Sequence, residues 1–215
     1  MNGEEFDQLV SFFDGMARTS WLSAVHDQLK KQSGSWKDAR VLDIGCGTGR
    51  LLLKGVEEAK HLTGVDLSSE MVKASQQNFF LHNRSDKSTF LVADAYELPF
   101  EDGHFDVALS TCVMFLLPEP EIGLKEMIRV TKKGGTITML NPSMKMNQMN
   151  AFEYSKKHHI SGFEQTTLLK WSNVSTRRHR YSEEDMISLL SELGAERVKN
   201  TEVLDGLAMI TSAEV

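Results

Sequence analysis

The stretch that most restricts how this chain can fold is Val41-Leu42-Asp43-Ile44-Gly45-Cys46-Gly47-Thr48-Gly49. It opens as an apolar run too short for a helix and bounded by glycines, which predicts a buried parallel strand. Glycines at alternate positions follow, and Leu51, Leu52, Leu53 and Val56 then give a helix-like segment. A glycine-rich loop carries meaning in this strand–turn–helix setting. Gly45, Gly47 and Gly49 permit a sharp turn and let a ligand lie against bare backbone.

Spacing narrows the ligand. The dinucleotide fingerprint G-x-G-x-x-G needs its third glycine one position later, where this chain has Arg50. A nicotinamide oxidoreductase is therefore disfavoured. The pattern is G-x-G-x-G after an acid, Asp43. In this the chain resembles class I S-adenosylmethionine (SAM)-dependent methyltransferases, in particular their small-molecule, quinone-biosynthesis-like members. The resemblance implies a Rossmann-like α/β fold: a seven-stranded, mostly parallel sheet with an antiparallel last strand, in three α/β/α layers. It implies SAM as cofactor, S-adenosylhomocysteine (SAH) as product, and Asp43, Gly45, Cys46, Gly47 and Gly49 around the donor.

The following segments extend the pattern. A helix is expected over about 49–59, then a strand over 61–66 ending in Asp66. An acid at the tip of the second strand, about twenty residues past the glycine turn, can accept hydrogen bonds from both ribose hydroxyls of an adenosine. The competing reading of Asp66 is a helix N-cap. Leu67 is placed beside it at the cofactor, and Ser68 or Ser69 caps the next helix. A strand over 89–94 ends in Asp94-Ala95. This resembles the family's third motif, in which the acid meets the adenine amino group and the next backbone N–H meets a ring nitrogen. A strand over 105–110 ends at Ser110, where the family uses a main-chain carbonyl for the SAM ammonium. A helix then runs from Pro118 and Pro120 to Lys132-Lys133, stopped by Gly134-Gly135. A strand over 136–140 follows. Ser182 to Asp185 is a capping box, and two strands over about 196–203 and 206–213 flank an Asp205-Gly206 hairpin signal.

Two flanking segments complete a single domain over 1–215. Phe6, Leu9, Phe12 and Phe13 allow a short helix, and Trp21, Val25 and Leu29 predict another from about 18 to 31. In the resembled family such a cap, here residues 1–35, closes over the methionine end, and Arg18 is the candidate cation for its carboxylate; solvent exposure is the alternative. Residues 142–181 break the α/β rhythm and are expected to form a substrate lid. Met144, Met146 and Met149 offer adaptable apolar contacts there.

Donor motifs do not name the acceptor. After the fourth strand the run Cys112-Val113-Met114-Phe115-Leu116-Leu117 holds no base, unlike many small-molecule members. The catalytic residue is thus unassigned, with Tyr154, His158 and His159 as weak candidates from the lid. Residues 151–181 hold six Lys/Arg against two Glu, a local charge of +4 in a chain of net charge −6. This segment either attracts an anionic acceptor, a membrane surface or RNA, or is a solvated face. The overall charge disfavours general nucleic-acid affinity, so no DNA partner is expected and a small-molecule acceptor is preferred over RNA. An RNA or protein methyltransferase, or a non-catalytic SAM-binding partner or sensor, remain the alternatives.

Cys46 and Cys112 are too few for a disulfide framework or zinc site; they read as reduced thiols, with a nucleophilic Cys112 as the sharper alternative. No metal site is expected. The acidic start lacks an apolar leader and no run reaches the ~20 residues of a membrane span, so a cytoplasmic location is expected.

Overall fold

The computed structural model describes residues 3–215; Met1 and Asn2, inside the expected cap, lie outside them. In chain order the elements are α1 (Gly3–Asp7), α2 (Val10–Ala17), α3 (Ser20–Gln32), β1 (Arg40–Ile44), α4 (Arg50–Leu53), β2 (His61–Asp66), α5 (Ser69–Leu81), β3 (Ser88–Val92), β4 (Phe105–Thr111), α6 (Pro120–Val130), β5 (Thr131–Pro142), α7 (Gln148–Lys157), α8 (Gly162–Ser175), α9 (Glu183–Glu192), β6 (Glu196–Val203) and β7 (Ala208–Glu214).

The strands form one sheet in the order β3-β2-β1-β4-β5-β7-β6. Neighbours from β3 to β5 pair in parallel, and β7 inserts antiparallel between β5 and β6. The chain steps from β1 to β2 to β3 in one direction and from β4 to β5 in the other. Right-handed crossovers then put α4 and α5 on one face and α6 on the opposite face, giving three layers. The direction reverses between β1 and β4, and the crevice beyond their carboxyl ends is where such sheets bind ligands.

Central strands are sealed on both sides. Val41, Leu42, Leu109, Ile137, Met139 and Leu140 are all buried, the near-continuous apolar pattern of a covered parallel strand. Helix starts follow local polar chemistry. Thr19 accepts from Leu22 N at the head of α3, Ser68 accepts from Met71 N at α5, and Ser182 with Asp185 closes a reciprocal box at α9.

Four boundaries differ from expectation. Regular helix after the glycine turn spans only Arg50–Leu53 and continues as turns. β3 ends at Val92, so Asp94 sits in the following loop, bridged to Glu97. β5 begins at Thr131 rather than 136: Thr131 pairs with Phe105, the register then jumps, and Thr136 pairs with Val107. Lys132 to Gly135 is thus an outward bulge in the strand, not a helix end, with Gly134 at φ +77° making the excursion possible. The last strand starts at Ala208 because Leu204, Asp205 and Gly206 all adopt positive φ and widen the hairpin turn. Among the described residues no helix is long and apolar enough to cross a membrane.

Candidate active site

A cavity of about 300 Å³ opens at the carboxyl ends of β1, β2 and β4. Its floor is the glycine turn. Gly45 has φ +71°, and a Cβ there would lie 2.1 Å from Val113 Cγ2. At Gly47, φ +53°, a Cβ would meet nothing within 4 Å, so bare backbone faces open space. That is a surface a ligand can lie on.

Two acids border the floor. Asp66 Oδ2 accepts from Gly47 N at 2.9 Å and Oδ1 from Ser68 N at 3.0 Å. Burial pushes the Asp66 carboxyl above the usual range, against those backbone hydrogen bonds. Asp43 is more extreme. It is 2 % exposed, and its Oδ1 is sealed from solvent without a hydrogen-bond partner. Burial first, then the charge of Asp66, raises its pKa well above normal. An orphaned buried carboxylate at a cavity wall suits a cationic ligand group. Together with the open Gly47 backbone it fits the adenosyl and ammonium chemistry of SAM.

The remaining expected cofactor residues divide. Cys46, Leu67, Asp94 and Ala95 line the cavity. Asp94 Oδ1 accepts from Tyr96 N at 2.9 Å, an Asx turn that holds the loop. At the end of β4 the cavity wall is made by Thr111, Cys112 and Val113, directly after Ser110, whose hydroxyl is buried without a partner. Arg18 is absent from the wall. Its side chain is 63 % exposed and its Nε lies 3.3 Å from Asp14 Oδ2.

Asp14 does something the sequence did not reveal. From α2 it accepts from Thr48 Oγ1 at 2.9 Å and Arg50 Nε at 2.8 Å, so the cap is bolted to the glycine turn. Asp7 Oδ1 likewise accepts from Ser68 Oγ at 2.5 Å and from Glu70 N at 3.2 Å. Phe6, Phe13, Met16 and Leu22 then form the cavity's apolar cover, and the His26 imidazole lines it as well.

The expected lid bases are elsewhere. Tyr154 packs on His158 with ring centroids 4.2 Å apart, and His158 Nε2 lies 2.9 Å from Asp205 Oδ2 on the β6–β7 turn. His159 is exposed at φ +55°. None lines the cavity, because the end of α7 is tethered to Asp205 by Lys157 as well. Met146 is core, and of residues 142–181 only Arg178 reaches the cavity wall. Met114 and Phe115 are also core, 1 % exposed each. Both thiols are pushed up by burial, which argues against nucleophilic roles.

Residues 42–139 match the model of the methyltransferase domain family. Over 160 residues the chain is 28% identical to the sterol 4-C-methyltransferase strm-1 of Caenorhabditis elegans, covering 74% of this chain and 48% of that protein. It is 32% identical over 144 residues to a demethylmenaquinone methyltransferase of Staphylococcus aureus, covering 65% and 56%. The chain thus spans about half the length of the curated relatives it matches. A SAM-dependent methyltransferase structure from Aquifex aeolicus superposes with a TM-score of 0.71 at 18% identity, covering 96% of this chain and 97% of that one, a likeness of fold. The matched core over residues 42–139, the β3-β2-β1-β4-β5-β7-β6 sheet and the glycine-turn cavity agree in their likeness to class I SAM-dependent methyltransferases.

Proposed function

We propose that this chain transfers a methyl group from SAM to a small-molecule acceptor. The observation that carries the reading is the cavity floor, where open Gly47 backbone, bonded Asp66 and orphaned Asp43 adjoin. When bound, SAM supplies an electrophilic methyl on a cationic sulfur. The chain's part is to bind, orient and exclude water. Asp66 offers its carboxylate to ribose hydroxyls. Asp94 and the backbone at Ala95 address the adenine edge. Asp43 and the Thr111–Cys112 wall receive the ammonium. Leu116, Leu117 and Pro118 opposite the cap give an apolar acceptor space. Holding the reactants together in a dry cavity can lower the barrier by roughly 7–11 kcal/mol through orientation.

Residues 1–35 serve as cap and 142–181 as lid of one domain in this reading. The demethylmenaquinone and sterol relatives favour an apolar small molecule over a polymer. Arg178 adds a cation at the exposed rim, which suits an acidic group on that molecule. The test is a transfer assay with methyl-labelled SAM over a panel of phenols, quinols, amines, thiols and organic acids, with a total RNA sample alongside. Label in a small molecule and none in RNA is expected; label in RNA alone would overturn the choice of acceptor.

A further inference from the structure

His26 is the cavity group that the donor site does not use. It sits on α3, one helical turn after Leu22, and both line the cavity. The residue is 4 % exposed, and Nδ1 is sealed from solvent without a hydrogen-bond partner. A buried polar side chain normally finds a partner, and leaving it without one is destabilising. An unpartnered imidazole on a cavity wall therefore points to a ligand that completes it.

Position says which ligand. α3 packs against β5, three strands from β2 in the sheet order. At the ordinary strand spacing that is about 14 Å from the line of β2, whose tip carries Asp66. His26 sits on a covering helix of the cavity, not at the strand tips and loops that carry the acids. The titratable groups on the wall can be sorted by what already engages them. Asp43, Asp66 and Asp94 face the donor. Arg50 is committed to Asp14 and Asn78. Cys46 and Cys112 are held protonated by burial. Arg178 has no lone pair to offer. His26 alone combines an available lone pair with neutrality: burial, then the charge of Lys54, push its pKa down to about 4.

We propose that His26 is the proton acceptor for the molecule that receives the methyl group. This rests on the methyltransferase reading. The acceptor class it selects is an apolar phenol, enol or amine, whose O–H or N–H must be lost on methylation. In the step, the bond from acceptor oxygen or nitrogen to methyl forms while the sulfur–methyl bond breaks and its electron pair returns to sulfur. The acceptor proton moves to the ring nitrogen of His26 that faces the cavity. One positive charge leaves sulfur as one appears on the imidazole, so the net charge inside the cavity is unchanged. The imidazolium is unstable at its buried position and returns its proton to water once the cavity opens.

The test uses the full chain with SAH, 2-naphthol as an apolar acidic O–H probe, and the variant His26→Gln. Wild-type binding of SAH is measured first, and its absence would remove the methyltransferase reading itself. Given that binding, His26→Gln should keep SAH affinity within about twofold, because the residue is not a donor ligand. In protein labelled with ¹⁵N-histidine, 2-naphthol added to the SAH complex should shift the His26 ring nitrogens. With labelled SAM, naphthol methylation should fall on the order of 100-fold in the variant and recover in part with added imidazole. A loss of SAH affinity beyond tenfold would make His26 a donor-binding residue and overturn the proposal. So would ring resonances indifferent to naphthol, which would leave the histidine a packing residue.

Discussion

The floor and the cover of the cavity are built by opposite means. The floor is made of backbone and short acids, each at the tip of a strand or in the loop just after it. Gly45 to Gly49, Asp66 and Asp94 are placed by the strands that precede them. The cover is made of side chains joined across long sequence separations. Glu164 on α8 accepts from Ser20 N at 2.8 Å and Ser20 Oγ at 2.5 Å, thereby capping α3 from another helix. Trp21 stacks on Trp171 at 5.6 Å between centroids and 10° between planes. Phe12 meets Phe163 edge-on, and Lys170 lies over the Phe12 ring. The N-terminal helices α2 and α3 and the helix α8 thus form one packed unit over the floor. Stability of the cover and affinity of the floor should therefore respond to different mutations.

The largest expected separation comes from Gly45→Ala. A Cβ there meets Val113 at 2.1 Å and the backbone is at positive φ. The change should cost on the order of 3–4 kcal/mol in denaturant unfolding and remove measurable SAH binding. Retained binding would show that the glycine turn is not the seat of the donor. Trp171→Ala tests the other region. Losing a buried ring, 5 % exposed, should cost about 3 kcal/mol, while SAH affinity falls less than tenfold. A larger loss of affinity than of stability would mean that cover and floor are one unit.

A third, smaller effect is set by pH. His26 binds its proton more weakly folded, at about 4, than unfolded, at 6.5. The unfolded chain therefore takes up more protons as pH falls below 6.5, and stability falls with it until the folded value is passed. Burial and Lys54 depress the value and Asp27 opposes them. By pH 5 the wild type should have lost about 2 kcal/mol relative to His26→Gln. Parallel stability curves would place His26 in a solvated setting. Smallest of all, Arg18→Ala should leave SAH affinity within about twofold, since the side chain points outward to Asp14. A tenfold loss would restore it as the carboxylate partner.

Legibility follows the same division. β1 and β2, with the acids near them, are readable because a short apolar run ending in an acid or glycine is local information. Lys132 to Gly135 was misread because two glycines after a helix signal a stop equally well as a strand bulge; only pairing with Phe105 and Val107 decides. Cap-to-lid contacts were invisible because Ser20 and Glu164 are 144 residues apart. Asp14 was missed for the same reason, its partners Thr48 and Arg50 lying on another element. The histidines of the lid attracted attention by clustering, yet they serve Asp205 and the exterior. His26 did leave a signal. It falls on the stripe of Leu22 and Leu29, at spacings of four and three, so a polar side chain was pointing into the core.

The most direct test of the floor is calorimetric titration of SAH into the wild type and into Asp66→Ala. The wild type should bind with one site per chain, and loss of the carboxylate that joins Gly47 N to the ribose position should weaken binding at least about 100-fold, a change of roughly 2.7 kcal/mol. Equal affinity in the two proteins would contradict the adenosyl assignment of this cavity.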